Sequence, residues 1–251
     1  MRVPRSTSII LSSLSCYVSE ISPLKILITS RPEQSITSVF TTHLGNLNVA
    51  SQCLVLHELE LGVVQKDIKF YLSSGLQDIA EHYCLDSLWP SKKNIWALAN
   101  LSFSLFIFAA TSIKFIEDRN DSDPPSQLRR LLSGKDMSTS VQSSPHHHLD
   151  KLYMQVLEHA FPHISTQLSG QLKTILGSIA FLQEPLSLAS LSILLRMPPS
   201  VVQQTLVHLS SIMILPDNET QPIQLHHPSF IDFITDPIKG ATTISSANFS
   251  G

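Results

Sequence analysis

The sequence predicts a mostly α-helical chain with a remnant of an α/β sheet near its start and a winged-helix-like region near its end. Three observations predict it. An apolar run of strand length occupies 24–30 and stops at Arg31-Pro32. From Val63 onward, apolar residues recur at the three- and four-residue spacing of helices. Over 168–226, three helical periods are followed by two short apolar segments around a polar turn.

The chain has 251 residues, of which 43% are hydrophobic and 15% charged. That balance excludes an intrinsically disordered chain, a coiled coil and a charged tail protein. With 17 Lys and Arg against 20 Asp and Glu, the formal net charge is −3, so no basic excess points to nucleic acid. The three cysteines, Cys16, Cys53 and Cys84, are widely spaced. They build neither a disulfide framework nor a zinc quartet, which favours a reducing, cytoplasmic setting. At the N-terminus, Arg2 and Arg5 precede a short apolar run broken by serines. This reads better as the start of a fragment than as a leader peptide.

The run 24–30 is rich in β-branched residues and reads as a buried strand whose end presents Thr29, Ser30 and Arg31. Ligands of open α/β sheets bind at that end of a strand. Residues 53–59 offer a second short strand. A helix follows over 63–80, with Val63, Val64, Ile68, Leu72, Leu76 and Ile79 on one stripe. Ser91 is placed to cap the next helix, which is expected to run on to Glu117. Within it, residues 94–113 carry no charge and match the length of a bilayer span. Asn94 and Asn100 are costly in lipid, and the aromatics sit mid-run, so a buried helix is the better reading than a single-pass membrane anchor.

Asp123-Pro124-Pro125 opens a short helix over 126–132. Residues 133–148 read as a Ser-, Gly- and Pro-rich linker ending in His146, His147 and His148. Three consecutive histidines do not converge on one metal ion, and no HExxH or Cys pair accompanies them. Amphipathic helices are then expected over 150–160, 168–182, 188–195 and 200–212. A hairpin over 212–226 and a closing turn over 229–235 follow, the latter with Phe230, Phe233 and Ile234 inward.

Catalytic signatures are sparse. No GxxxxGK[ST] loop and no GxSxG elbow occurs. The third helix of the winged-helix-like region carries no Lys or Arg, which disfavours DNA binding. Two polar candidates remain. Arg31 at a strand end suits a terminal phosphate oxygen. His227, in His226-His227-Pro228-Ser229, precedes the last helix and can donate a ring hydrogen to an anion.

Several blocks, in order, resemble the NACHT-type signalling NTPases of the STAND class, especially the large fungal NACHT–WD40 proteins. KILITSRPE (25–33) resembles their sensor strand, and VVQKDIKFYLSSGLQDIA (63–80) the helix that follows. LFIFAATSIKFIED (105–118) and DPPSQLRRLL (123–132) are similar to their helical-domain segment, and HLDKLYMQVLEHAF (148–161) to the start of the next module. ILGSIAFLQEPLSLASLSILL (175–195) and IQLHHPSFIDFI (223–234) resemble their winged-helix-like region.

The resemblance implies a remnant of a P-loop NTPase α/β core over 1–60, a helical domain over 61–132, a linker over 133–148, a winged-helix-like domain over 149–240 and a tail over 241–251. It implies that Arg31 is the sensor arginine and that His227 faces the nucleotide phosphates in the closed state, both only where a P-loop core holds the nucleotide, with Ser229 and Asp232 structural. The intact family uses ATP or GTP with Mg²⁺. Here the phosphate-binding loop and the acidic magnesium strand should precede Lys25, and the first 24 residues match neither. The expected product is a non-catalytic regulatory or interaction fragment, with no cofactor of its own and with a related full-length NACHT protein as possible partner. The alternatives are a winged-helix DNA-binding protein, a membrane protein anchored through 94–113, and an inert product of gene truncation. Phe103 and Ser104 stand where the family has glycines. Without those glycines, a continuous helix is expected in place of a tight turn.

Overall fold

The structure, a computed structural model, describes residues 5–17, 25–30, 34–41, 51–52, 54, 60–118, 122–133, 145–216, 218 and 220–236. The described part is mostly helical, with one two-stranded sheet. The chain divides into two compact units, 1–59 and 60–251.

In the first unit, α1 (Arg5–Tyr17) packs on α2 (Gln34–Thr41). The expected strand over 24–30 does not form. Its described residues, 25–30, have no regular structure, and Ile26, Leu27 and Ile28 are exposed. A strand must bond its backbone to a neighbour, and among the described residues no strand pairs with this one. The second expected strand, 53–59, lies outside the described residues apart from Leu54, which is exposed.

The second unit holds one continuous core. Helix α3 (Leu61–His82) buries Ile68, Leu72, Leu76 and Ile79 of the stripe that its spacing marks, while Val64 is partly buried and Val63 is exposed in its first turn. Gly75 allows a close approach here, since a Cβ at this position would sit 3.0 Å from Ile113 Cδ1. Helix α4 (Lys92–Leu101) begins at Ser91, whose Oγ accepts from Asn94 N–H at 3.2 Å. It does not continue to Glu117. It ends at Ser102, and α5 (Phe106–Ile116) starts after a tight turn. Phe103 and Ser104 both take left-handed conformations there, with φ of 45° and 66°. The turn is thus made without glycine. It is held by Leu105 N–H donating to Ser102 O at 2.8 Å, and by the buried Ser102 hydroxyl donating to Ala99 O at 2.6 Å. The uncharged run 94–113 is therefore split between two helices. No helix among the described residues is long and apolar enough to cross a membrane.

Helix α6 (Pro124–Ser133) opens with Asp123 Oδ1 accepting from Ser126 N–H at 3.1 Å. Those bonds from Ser126 hold the Asp123 carboxyl below the usual carboxylate range. Helix α7 (Pro145–Ala160) begins earlier than the linker reading allows. His146, His147 and His148 are therefore helical residues. His148 is only 3% exposed, and its ring stacks on Phe103 with centroids 4.3 Å apart at 25°. Pro145 suits a first turn, where its missing N–H costs nothing.

Residues 166–235 follow the order helix, bridge, helix, helix, hairpin, helix. Helix α8 (Thr166–Phe181) is capped by Ser165, and α9 (Leu188–Leu195) by Ser187. Arg196 closes α9 in a left-handed conformation. Helix α10 (Pro199–Val207) leads to β1 (Met213–Ile214), which pairs antiparallel with β2 (Gln224–Leu225). Ser187 bridges Pro222, and Ile223 N–H donates to Leu186 O at 2.9 Å, so the hairpin is tied to the segment before α9. Helix α11 (Ser229–Thr235) buries Phe230 and Phe233, while Ile234 packs against the core from its edge.

Candidate functional site

Of the two residues singled out by sequence, Arg31 lies outside the described residues. His227 is half-buried at the head of α11. Its Nδ1 accepts from the backbone N–H of Ser229 at 3.1 Å and lies 2.7 Å from Ser229 Oγ. Ser229 Oγ in turn lies 2.8 Å from the hydroxyl of Tyr153 on α7. Tyr153 is buried, and its ring meets Phe230 edge-on at 5.2 Å and Phe233 at 5.5 Å. Burial pushes its phenol above the usual tyrosine range, a trend that the Ser229 hydrogen bond opposes.

The neighbouring His226 is also half-buried and faces the other way. Its Nε2 lies 3.2 Å from the Ser210 carbonyl, which can only accept, so Nε2 carries the hydrogen. Burial pushes its pKa down, and the positive charge of Lys114 adds to this. In the structure neither histidine is fully covered, and His226 N–H donates to Ile212 O at 2.9 Å.

A second polar cluster joins α6 to the end of α7. Gln127 is fully buried, and its side-chain amide lies 2.7 Å from His159 Nε2, while Arg130 lies 2.7 Å from His159 Nδ1. Arginine can only donate, so Nδ1 accepts and a neutral ring carries its hydrogen on Nε2; the Gln127 atom set at that nitrogen is its amide nitrogen, also a donor, so the pair is satisfied only with the amide turned over to present its oxygen. Phe115 meets the same imidazole edge-on at 5.2 Å. Nothing in the sequence pairs residues 29 to 32 positions apart, and this cluster had no sequence signal.

A cleft of about 400 Å³ opens between the end of α7, the start of α8 and α10. Phe161, Leu168 and Val201 give it apolar walls, and His163, Gln171, Gln204 and His208 give it polar ones. It contains no carboxylate, and the hydroxyl among its lining residues, that of Thr205, donates to Val201 O at 2.8 Å. No group of three or more metal-ligating side chains occurs among the described residues.

Comparison with protein-family models, with curated proteins and with solved structures gives no match for this chain.

Proposed function

We propose that this chain is a non-catalytic regulatory or interaction fragment of a NACHT/STAND-type nucleotide-switch protein, with its C-terminal region acting as a winged-helix-like module. The observation that carries the reading is His227: at the head of the last helix, its Nδ1 accepts from Ser229 N–H, so a neutral ring carries its hydrogen on Nε2. The order of blocks along the sequence supports the same reading. So does the order α8, bridge, α9, α10, hairpin, α11, in which three helices precede a hairpin and α11 is counted apart, as the winged-helix reading requires.

The donor set fits an oligophosphate only in part. His227, and Arg31 as the resemblance assigns it, would each meet phosphate oxygens of ATP or GTP, bound with Mg²⁺ in the intact family, only if a P-loop core were supplied to hold the nucleotide. No GxxxxGK[ST] sequence is present to cradle them. A charge-assisted hydrogen bond contributes about 1.5–3 kcal/mol. Association itself costs about 4–15 kcal/mol. Two such contacts leave nucleotide affinity at about millimolar or weaker.

The absent lysine and acidic residue are the groups that make phosphoryl transfer fast. Hydrolysis of ATP and GTP by the purified chain is therefore expected to stay at background. Turnover above background that disappears in Arg31→Ala would overturn the non-catalytic reading. The DNA-binding alternative finds no support in α10, whose sequence PSVVQQTLV has no basic residue.

A further inference from the structure

We infer that Tyr153 and Ser229 are positioning residues that hold the His227 imidazole as its Nε2–H tautomer; this rests on the reading of His227 as an anion-facing donor. A backbone N–H can only donate, and that of Ser229 lies 3.1 Å from His227 Nδ1. Nδ1 must therefore accept, and a neutral ring then carries its hydrogen on Nε2. Ser229 Oγ, 2.7 Å from the same nitrogen, adds a second donor. Having given its hydrogen to Nδ1, Oγ accepts from the Tyr153 hydroxyl at 2.8 Å. The bonds thus run in one direction, from Tyr153 through Ser229 to the imidazole.

The surroundings support that direction. Burial keeps the Tyr153 phenol protonated and able to donate. Phe230 and Phe233 of α11 bracket its ring, so α7 and α11 are locked together where the chain of bonds crosses between them. Hydrogen bonds in such a series polarise one another. An anion accepting from Nε2–H would strengthen each bond behind it.

The test uses the full chain labelled with ¹⁵N-histidine. Long-range ¹H–¹⁵N spectra report the tautomer of each ring, and His227→Gln assigns the signal. The wild-type ring is expected as Nε2–H. Ser229→Ala leaves only the backbone donor, so the tautomer ratio should fall about 2–10-fold, one hydrogen bond's worth. Ser229→Thr restores the hydroxyl and should restore the ratio. Tyr153→Phe should shift it in the same direction as Ser229→Ala but less; if that variant does not fold, the Ser229 pair decides alone. Hydrogen on Nδ1 in the wild type, or an unchanged ratio in Ser229→Ala, would overturn the assignment. Titration with inorganic phosphate separates this from the nucleotide reading. A His227 signal that ignores phosphate, with a tautomer that still answers to Ser229, supports the positioning chain and overturns only the anion-facing role.

Discussion

Leu27 and Phe108 both sit in apolar runs, yet they end in opposite environments. Leu27 is 91% exposed, whereas Phe108 is 1% exposed. The difference follows from where each run finds its partners. A helix bonds its own backbone and needs only a neighbouring face to cover its apolar stripe. Helix α5 finds such faces on α3, α6 and α7. A strand needs a second strand at hydrogen-bonding distance, and residues 25–30 have none among those described. An apolar run predicts burial only when its partner is within reach.

Truncating one side chain from each run puts this contrast to its hardest test. Phe108→Ala is expected to destabilise the chain by about 3–5 kcal/mol, as for buried Phe truncations. Leu27→Ser should change stability by no more than about 0.5 kcal/mol, as for exposed positions. Urea unfolding curves compare the two. Similar costs would mean that the run 26–28 is covered in solution.

The α4–α5 turn gives the next effect. A non-glycine residue in the left-handed region costs about 1–2 kcal/mol. Ser104→Gly should remove most of that cost and stabilise the chain by about 1 kcal/mol, seen as a raised Tm. A lowered Tm would show that the turn is not strained. In the C-terminal region, Ser187→Ala removes the cap that accepts from Ser190 N–H at 3.2 Å, with an expected loss of about 1 kcal/mol.

The smallest effect is pH dependence. Burial, then Lys151 and His147, hold His148 below the usual 6.5. The unfolded chain therefore takes up this proton at a higher pH than the folded one does. Stability from His148 is full above 6.5 and is lost as pH falls below it. His226 acts in the same direction. Glu158, raised by burial above the usual 4.5, acts in the opposite direction. Stability measured between about pH 7 and 5.5 should fall on acidification. His148→Phe, which keeps a ring against Phe103, should flatten that slope.

Local signals in the sequence were the legible ones. The α3 stripe from Ile68 to Ile79, the Ser91 cap and the limits of α9 rest on residues within one or two turns of each other, and the structure has them where the pattern puts them; Val63, on the same stripe, is exposed. The α4–α5 turn was not legible. Left-handed conformations are rare for Phe and Ser, and this pair is held by Ser102 and by the stack on His148, which is 45 residues away from Phe103. Tyr153 could be read as a core residue, but not as the partner of Ser229, because 76 residues separate them. The tautomer of His227 was not legible, because only the Ser229 contacts define it.

The central claim is that the chain carries phosphate-reading groups without a phosphate cradle. Titration calorimetry of the full chain with ATP, ADP and GTP in the presence of Mg²⁺ tests it most directly. Heats fitting a Kd of about millimolar or weaker are predicted, since two contacts barely offset the cost of association. Sub-micromolar binding of any of the three nucleotides would contradict the account.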